Sequence, residues 1–250
     1  FHKKGVYPLV KKTNFKTIFD IVNFSSHIAD KVKAGVGKKD IVVLESAMKA
    51  LTAGEKNILI SLCDLDGMYH DFGEKHDKVI SKLSMLDSTL GELLAIYTQN
   101  HPEENVFVMS DHGISNADKH VTFNYRDFEE EIFNGELVVF FDSLYLSYWA
   151  NNQQVKSRLE NALSFLPGHI LSQSQRKEAG VLDSRFGDGI FLLDEGYGFC
   201  PNFFGFRPLK SYHGYDPELM KSKGVLATNA KINSNLKNTD VFDLLEASVS

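Results

Sequence analysis

The chain has 250 residues, 43% hydrophobic and 24% charged, with a net charge of −6 and two cysteines. That length and composition suit a globular core that needs no covalent staples, which excludes a disulfide scaffold. No basic run forms a nucleic-acid footprint, and no apolar run reaches the roughly 18 residues of a membrane span.

The amino-terminal stretch begins Phe1-His-Lys-Lys, without an initiator methionine or a signal peptide, and reads as the middle of a longer chain. Its lysines (Lys3, Lys4, Lys11, Lys12, Lys16) are dispersed among apolar residues and predict a solvated face. Asn23-Phe-Ser25 has the form of a glycosylation sequon, a triplet that is common by chance. From Asp40 to Leu51, helical spacing of Ile41, Leu44, Met48 and Leu51 predicts an amphipathic helix. Asn57 to Cys63 is a β-rich apolar run that fits a buried strand of a parallel sheet, with Cys63 as a small buried hydrophobe. Val79, Leu83, Leu86, Leu90, Leu93, Leu94 and Tyr97 form a long helical stripe ending near Asn100-His-Pro102, and Asn105 to Met109 is a second buried-strand candidate.

This strand, helix, strand order is a βαβ rhythm, and ligands of open α/β sheets gather outside the carboxyl ends of the strands. From about Asn124 the character changes. Leu137–Phe141 and Leu144–Trp149 predict a hairpin, and Asn151 to Leu166 a helix stopped by Pro167-Gly168. The core sheet is expected to resume at Ile190–Leu193, followed by a glycine-rich turn at Gly196-Tyr-Gly198 and a late strand at Gly224–Thr228. The expected organisation is an α/β core over 1–123, a small α+β cap insertion over 124–182, and the core again over 183–250.

Three Asp/His-rich clusters punctuate this pattern: Asp66-Gly-Met-Tyr-His70-Asp-Phe-Gly73, Ser110-Asp111-His112-Gly113, and Tyr212-His213-Gly214-Tyr215-Asp216-Pro217. Carboxylate and imidazole are the ligands that a borderline-soft, non-redox cation accepts. Asp66 and His70 are four apart, so one helical turn puts both on one side, and Gly73 lets the backbone turn away. Asp64 is a rival carboxylate two residues upstream. Asp111-His112 is an unusual pair straight after Val-Phe-Val-Met, because charge resists desolvation.

Each cluster also has a plain reading. Asp66/His70 reads as a surface pair, Asp111 as a helix cap in a turn, and His213 as part of an exposed loop. What points to a two-metal site is the set of three. His2, His27, His76, His101 and His169 have no partner pattern and are expected to face solvent; His120 is a candidate neighbour of the ligands. Tyr212 and Tyr215, with Tyr145, Tyr148 and Trp149, are candidates for stacking on a substrate ring or for core packing. A disulfide between Cys63 and Cys200 stays open.

Taken in order, the clusters resemble the alkaline phosphatase superfamily, and within it the type I phosphodiesterase/nucleotide pyrophosphatase family. The Asp, His four later and Gly seven later match Asp66, His70 and Gly73. The strand-end Ser-Asp-His-Gly matches Ser110 to Gly113, and the late His-Gly-Tyr-Asp-Pro matches His213 to Pro217. Ser84 to Leu94 looks like the helix between the first two motifs, and Asn238 to Leu245 like the closing segment. Tyr69, where relatives often have glycine, leaves the ligands intact.

The resemblance implies a mostly parallel sheet sandwiched between helices. It implies two divalent metal ions, zinc foremost, with Asp66, His70 and His213 holding one and Asp111 and His112 the other. It implies hydrolysis of a phosphodiester or nucleotide pyrophosphate bond in a small-molecule phosphate ester or nucleotide, through a covalent phospho-enzyme. The nucleophilic Thr or Ser of that pattern, and an Asp of the first strand, match nothing here. Thr13, Thr17, Ser25 and Ser26 do not fit the motif, so the nucleophile is expected outside this chain, in an absent amino-terminal third. Alternatives within the superfamily are phosphomonoesterase, sulfatase and phosphoethanolamine transferase; outside enzymes, a non-catalytic metal-binding fragment. Relatives of this kind are often secreted, periplasmic or membrane-anchored.

Overall fold

A computed structural model describes residues 16–28, 39–232 and 236–248. Lys3, Lys4, Lys11, Lys12, His2 and Thr13 lie outside them. In chain order the elements are α1 (Ile18–Ile21), β1 (Ser25–Ile28), α2 (Asp40–Thr52), β2 (Ile58–Ser61), α3 (Asp64–Phe72), α4 (Asp77–Asn100), β3 (Phe107–Met109), β4 (Ser115–Asn116) and β5 (Lys119–Val121). They continue with α5 (Glu129–Phe133), β6 (Leu137–Phe141), β7 (Tyr145–Ala150), α6 (Gln153–Leu163), β8 (Gly168–Ile170), α7 (Gln173–Glu178), β9 (Gly189–Leu193), β10 (Tyr197–Phe199), β11 (Ser211–Tyr212), β12 (Leu226–Thr228) and α8 (Val241–Ser248). The chain divides into two compact units, one of Phe1–Met68, Asp77–Asp111 and Val225–Ser250, the other of Tyr69–His76 and His112–Gly224.

In the first unit β1 and β2 pair in parallel, Ser25 opposite Ile58, and α2 precedes β2 in the connection. The buried face of α2 is Asp40, Val43, Leu44, Ala47 and Leu51. The expected stripe began at Ile41, but that side chain is 44% exposed. The buried carboxylate of Asp40 rotates the face, which leaves residue 41 to one side. Leu44 and Leu51 meet Leu86 and Leu93 of α4, seven residues apart, with Ile58 and Ile60 of β2 packed against them. Each such buried leucine contributes roughly 1.5–3 kcal/mol.

The second strand candidate, β3, is antiparallel to β12, with Val108 opposite Ala227. The fold is mixed α/β with small sheets. Among the described strands β1–β2 and β5–β10 are the parallel pairs, and the other pairings are antiparallel. The reason is that a short apolar run marks a strand without specifying the direction of its partner. Met109 at the end of β3 is 42% exposed, so this strand is not buried on both faces.

The second unit is built on a four-stranded antiparallel sheet in the order β6-β7-β9-β8. The predicted hairpin is present, with Val139 opposite Tyr148. β9 does not rejoin a core sheet; it pairs with β7 and β8. Alternating side chains from one face, Leu137, Leu146, Tyr148, Phe191 and Leu193, pack with Val155, Leu159 and Leu163 of α6. That helix starts where the Asn152 side chain accepts the Gln154 N–H at 2.9 Å. The Tyr148 hydroxyl donates to Glu160 at 2.5 Å. Buried Arg176 donates to the carbonyls of Val181, Gly187 and Asp188, which fixes the turn into β9.

Candidate metal centre

His70 lies in α3, one turn after Asp66, so the two side chains leave the helix on one face. The loop after α3 turns at Gly73, whose φ is +82°. It is fastened by Asn116, whose Oδ1 accepts from the Glu74 N–H at 3.0 Å and from the Ser211 hydroxyl at 2.8 Å. β11 runs alongside the end of α3. The Lys210 N–H donates to the His70 carbonyl at 2.8 Å, and Nδ1 of His70 lies 2.7 Å from the Ser211 carbonyl oxygen. His213 is the residue after β11, so these bonds bring its ring beside His70, with centroids 5.2 Å apart.

His112 reaches the same place by another route. β4, two residues past Gly113, pairs with β11 in the register Ser115 to Tyr212. The Gly113 N–H donates to the Ser222 carbonyl at 3.1 Å. A Cβ at residue 113 would come within 2.0 Å of the Lys221 carbonyl oxygen, so only glycine permits that approach. The His112 ring consequently stacks on His213 at 3.7 Å with planes 15° apart. One histidine from each of the three sequence clusters thus meets in the second unit.

The donors suit a cation. A carbonyl only accepts, so Nδ1–H of His70 donates to Ser211, and the ring's lone pair lies on Nε2. His112 has the same pattern, with Nδ1 3.0 Å from the Gly113 carbonyl oxygen.

The aspartates belong to the first unit. Asp66 occupies the first turn of α3. Asp111 follows β3, where Ser110 donates its N–H to the Val225 carbonyl and accepts the Val225 N–H on its hydroxyl, both at 2.9 Å. The Asn238 amide donates to the Asp111 carbonyl at 2.6 Å. Asp64 is engaged elsewhere, against Lys82 at 3.0 Å.

Tyr212 and Tyr215 are 2% and 3% exposed and pack with Ala117 and Leu144. The Tyr212 hydroxyl accepts from the Leu209 N–H, and the Tyr215 hydroxyl donates to the Tyr197 carbonyl. Core packing, one of the two roles open to them, describes both rings, and burial pushes both phenols up in pKa. His120 lies against the Leu209 carbonyl, 3.2 Å from Nε2. Of the remaining histidines, His27 bonds Ser25 and Ser46, and His76 and His101 lie against Phe72 and Tyr97. Neither Cys63 nor Cys200 is in a disulfide. A cleft of about 230 Å³ beside Gly73 is smaller than the usual ligand pocket.

The architecture is that of the alkaline phosphatase superfamily. It is similar to murine ectonucleotide pyrophosphatase/phosphodiesterase 5 at 17% identity and a TM-score of 0.60, over 76% of this chain and 52% of that one. The human protein of the same name matches at 17% identity and a TM-score of 0.64, over 85% and 59%. Phosphonoacetate hydrolase from Sinorhizobium meliloti 1021, in complex with phosphonoacetate, matches at 15% identity and a TM-score of 0.60, over 84% and 56%. The chain thus spans little more than half the length of these structures. No curated protein matches. The profile of the type I phosphodiesterase/nucleotide pyrophosphatase family matches residues 14–181, and the chain belongs to that family.

The residues that local pattern did not mark are the ones that fasten the histidine-bearing segments: Asn116 and the Ser211 carbonyl. A polar side chain or a peptide carbonyl carries no pattern of its own, and its partners here lie 95 and 141 residues away.

Proposed function

We propose that the complete protein is a metal-dependent hydrolase of phosphodiester or nucleotide pyrophosphate bonds. The observation that carries this reading is the meeting of His70, His112 and His213, drawn from three separate motifs, with their Nδ1 protons or rings already committed to neighbours. In this reading Asp66, His70 and His213 hold one divalent ion, and Asp111 and His112 a second; zinc suits the donor set. Such a pair of ions supplies charge neutralisation at the phosphoryl oxygens and lowers the pKa of a bound hydroxyl. The chain's own contribution is to orient the imidazoles, with the tautomers set by Ser211 and Gly113. In this reading the nucleophile that would form the phospho-enzyme is assigned to none of the residues described above.

In this reading the β-rich segment 124–182, together with β9, acts as the cap that selects the group attached to phosphorus. The family membership supports the reaction class, and a related structure, the murine protein in complex with AMP, supports a nucleotide as substrate. The similarity to phosphonoacetate hydrolase favours a second reading, cleavage of a phosphonate. A panel of nitrophenyl phosphodiester, dinucleotide pyrophosphate, phosphomonoester, sulfate ester and phosphonoacetate, run on the complete protein with and without zinc, tests both. Turnover of the first two, abolished by chelation, is expected. Metal-independent turnover, or none with any of the five, overturns the proposal.

A further inference from the structure

We infer that Asp40, Lys82 and Asp64 form a charged clamp that positions Asp66, an inference that rests on the metal-ligand reading above. The clamp lies within the first unit and joins the starts of two helices. Asp40 is the first residue of α2 and is wholly buried; Asp64 is the first residue of α3. Each receives the other's opening N–H. Oδ1 of Asp40 accepts from the N–H groups of Cys63 and Asp64 at 2.9 and 3.2 Å, and Oδ2 of Asp64 accepts from the N–H of Asp40 at 3.1 Å. Helix starts leave such donors unsatisfied and favour negative charge, so this reciprocal arrangement satisfies the opening N–H of each helix.

Two carboxylates that close repel unless a cation lies between them. Lys82, from the first turns of α4, supplies it, with Nζ 3.1 Å from Asp40 and 3.0 Å from Asp64. Asp40, Cys63 and Asp64 place their donor atoms close enough together to hold a metal ion. The ammonium already neutralises both carboxylates there, so the cation of this cluster is the lysine itself. The cluster also explains why Asp64, the rival carboxylate of the sequence, is not a ligand candidate.

The turn locked in this way is the one that carries Asp66, two residues past Asp64. Of the acids in this turn, Asp64 is consumed by the clamp and Asp66 is presented at a fixed rotation of α3. Without the ammonium, a buried Asp40 and its neighbour Asp64 repel, and the helix start loses its anchor. Asp40 and Lys82 are therefore positioning residues; neither is assigned contact with substrate.

The test is zinc affinity in the complete protein, measured by competition with a chromophoric chelator well below each variant's thermal midpoint. Four variants are compared: Lys82→Met, Asp40→Asn, Lys82→Arg and Asp66→Asn. Lys82→Met and Asp40→Asn are expected to weaken zinc binding about tenfold or more, in the range seen when the supports of metal ligands are removed. Lys82→Arg, which keeps a cation, is expected to retain most of the affinity. A lower midpoint with unchanged zinc affinity in both Lys82→Met and Asp40→Asn overturns the clamp's positioning role and leaves a structural one. If Lys82→Met does not fold, Asp40→Asn, which keeps the volume and the Oδ1 acceptor, decides. Asp66→Asn separates the two ideas. If it leaves zinc affinity intact, the ligand assignment itself fails; if it alone weakens binding, only the clamp fails.

Discussion

Replacing His213 by alanine removes the ring that touches both other imidazoles, 3.7 Å from His112 and 5.2 Å from His70. Removing a hydrogen-bond partner of a metal-ligating histidine already costs 10–100-fold in metal affinity. Loss of a ligand should exceed the top of that range, about 100-fold, or about 2.7 kcal/mol. The ring is half-buried and belongs to none of the buried clusters, so the metal-free fold should change by no more than about 1 kcal/mol. Zinc competition at neutral pH reads the first quantity and thermal unfolding in excess chelator the second. Hydrolysis of a nitrophenyl phosphodiester by the complete protein should fall below about 1% of the parent rate if the lost affinity leaves the site empty. Parent-level zinc binding and turnover in a folded His213→Ala protein would refute the reasoning, because the meeting of the three rings would then serve packing alone.

Other outcomes follow from the same geometry. Gly113→Ala puts a Cβ 2.0 Å from the Lys221 carbonyl oxygen; it should destabilise the fold by about 1–3 kcal/mol and lower zinc affinity by displacing His112, read by the same two assays. Arg176→Met removes the donors to the carbonyls of Val181, Gly187 and Asp188, of which Gly187 is buried, and should cost about 1–3 kcal/mol in urea unfolding. Leu159→Ala, at a wholly buried position of α6, should cost about 2–5 kcal/mol. Burial raises the phenol pKa of Tyr148 and Tyr215, with Glu160 adding to the effect at Tyr148. The folded state then holds protons that the unfolded chain releases near pH 10, so stability is full below that pH and falls above it. The slope should approach about 1.4 kcal/mol per pH unit for each tyrosine, and Tyr215→Phe should flatten the alkaline unfolding curve. An unchanged curve would mean that Tyr215 reaches solvent.

Local pattern carried much of this protein. The helices at 40–52 and 77–100, the hairpin at 137–150 and the helix at 153–163 follow from apolar periodicity and turn residues, and each appears within a few positions of its predicted range. The Asp111-His112 cluster was visible as chemistry because charge directly after an apolar strand is costly without a purpose, and the set of three because their residue types suit one kind of site. What the chain could not announce locally was pairing. β3 and β9 are short apolar runs, and whether such a run joins a parallel core or an antiparallel neighbour depends on contacts far away in sequence.

The same holds at the site. Ligand types, and the spacing of Asp66 to His70, belong to the sequence by itself, since a helix fixes that geometry within one turn. Tertiary structure decided that His213 meets His70 and His112, because a two-residue strand pair and two backbone hydrogen bonds join segments 95 or more residues apart. It also decided that Tyr212 and Tyr215 are core and that Asp64 faces a lysine. Burial and ion pairing depend on every neighbour at once, and no single stretch of sequence records them.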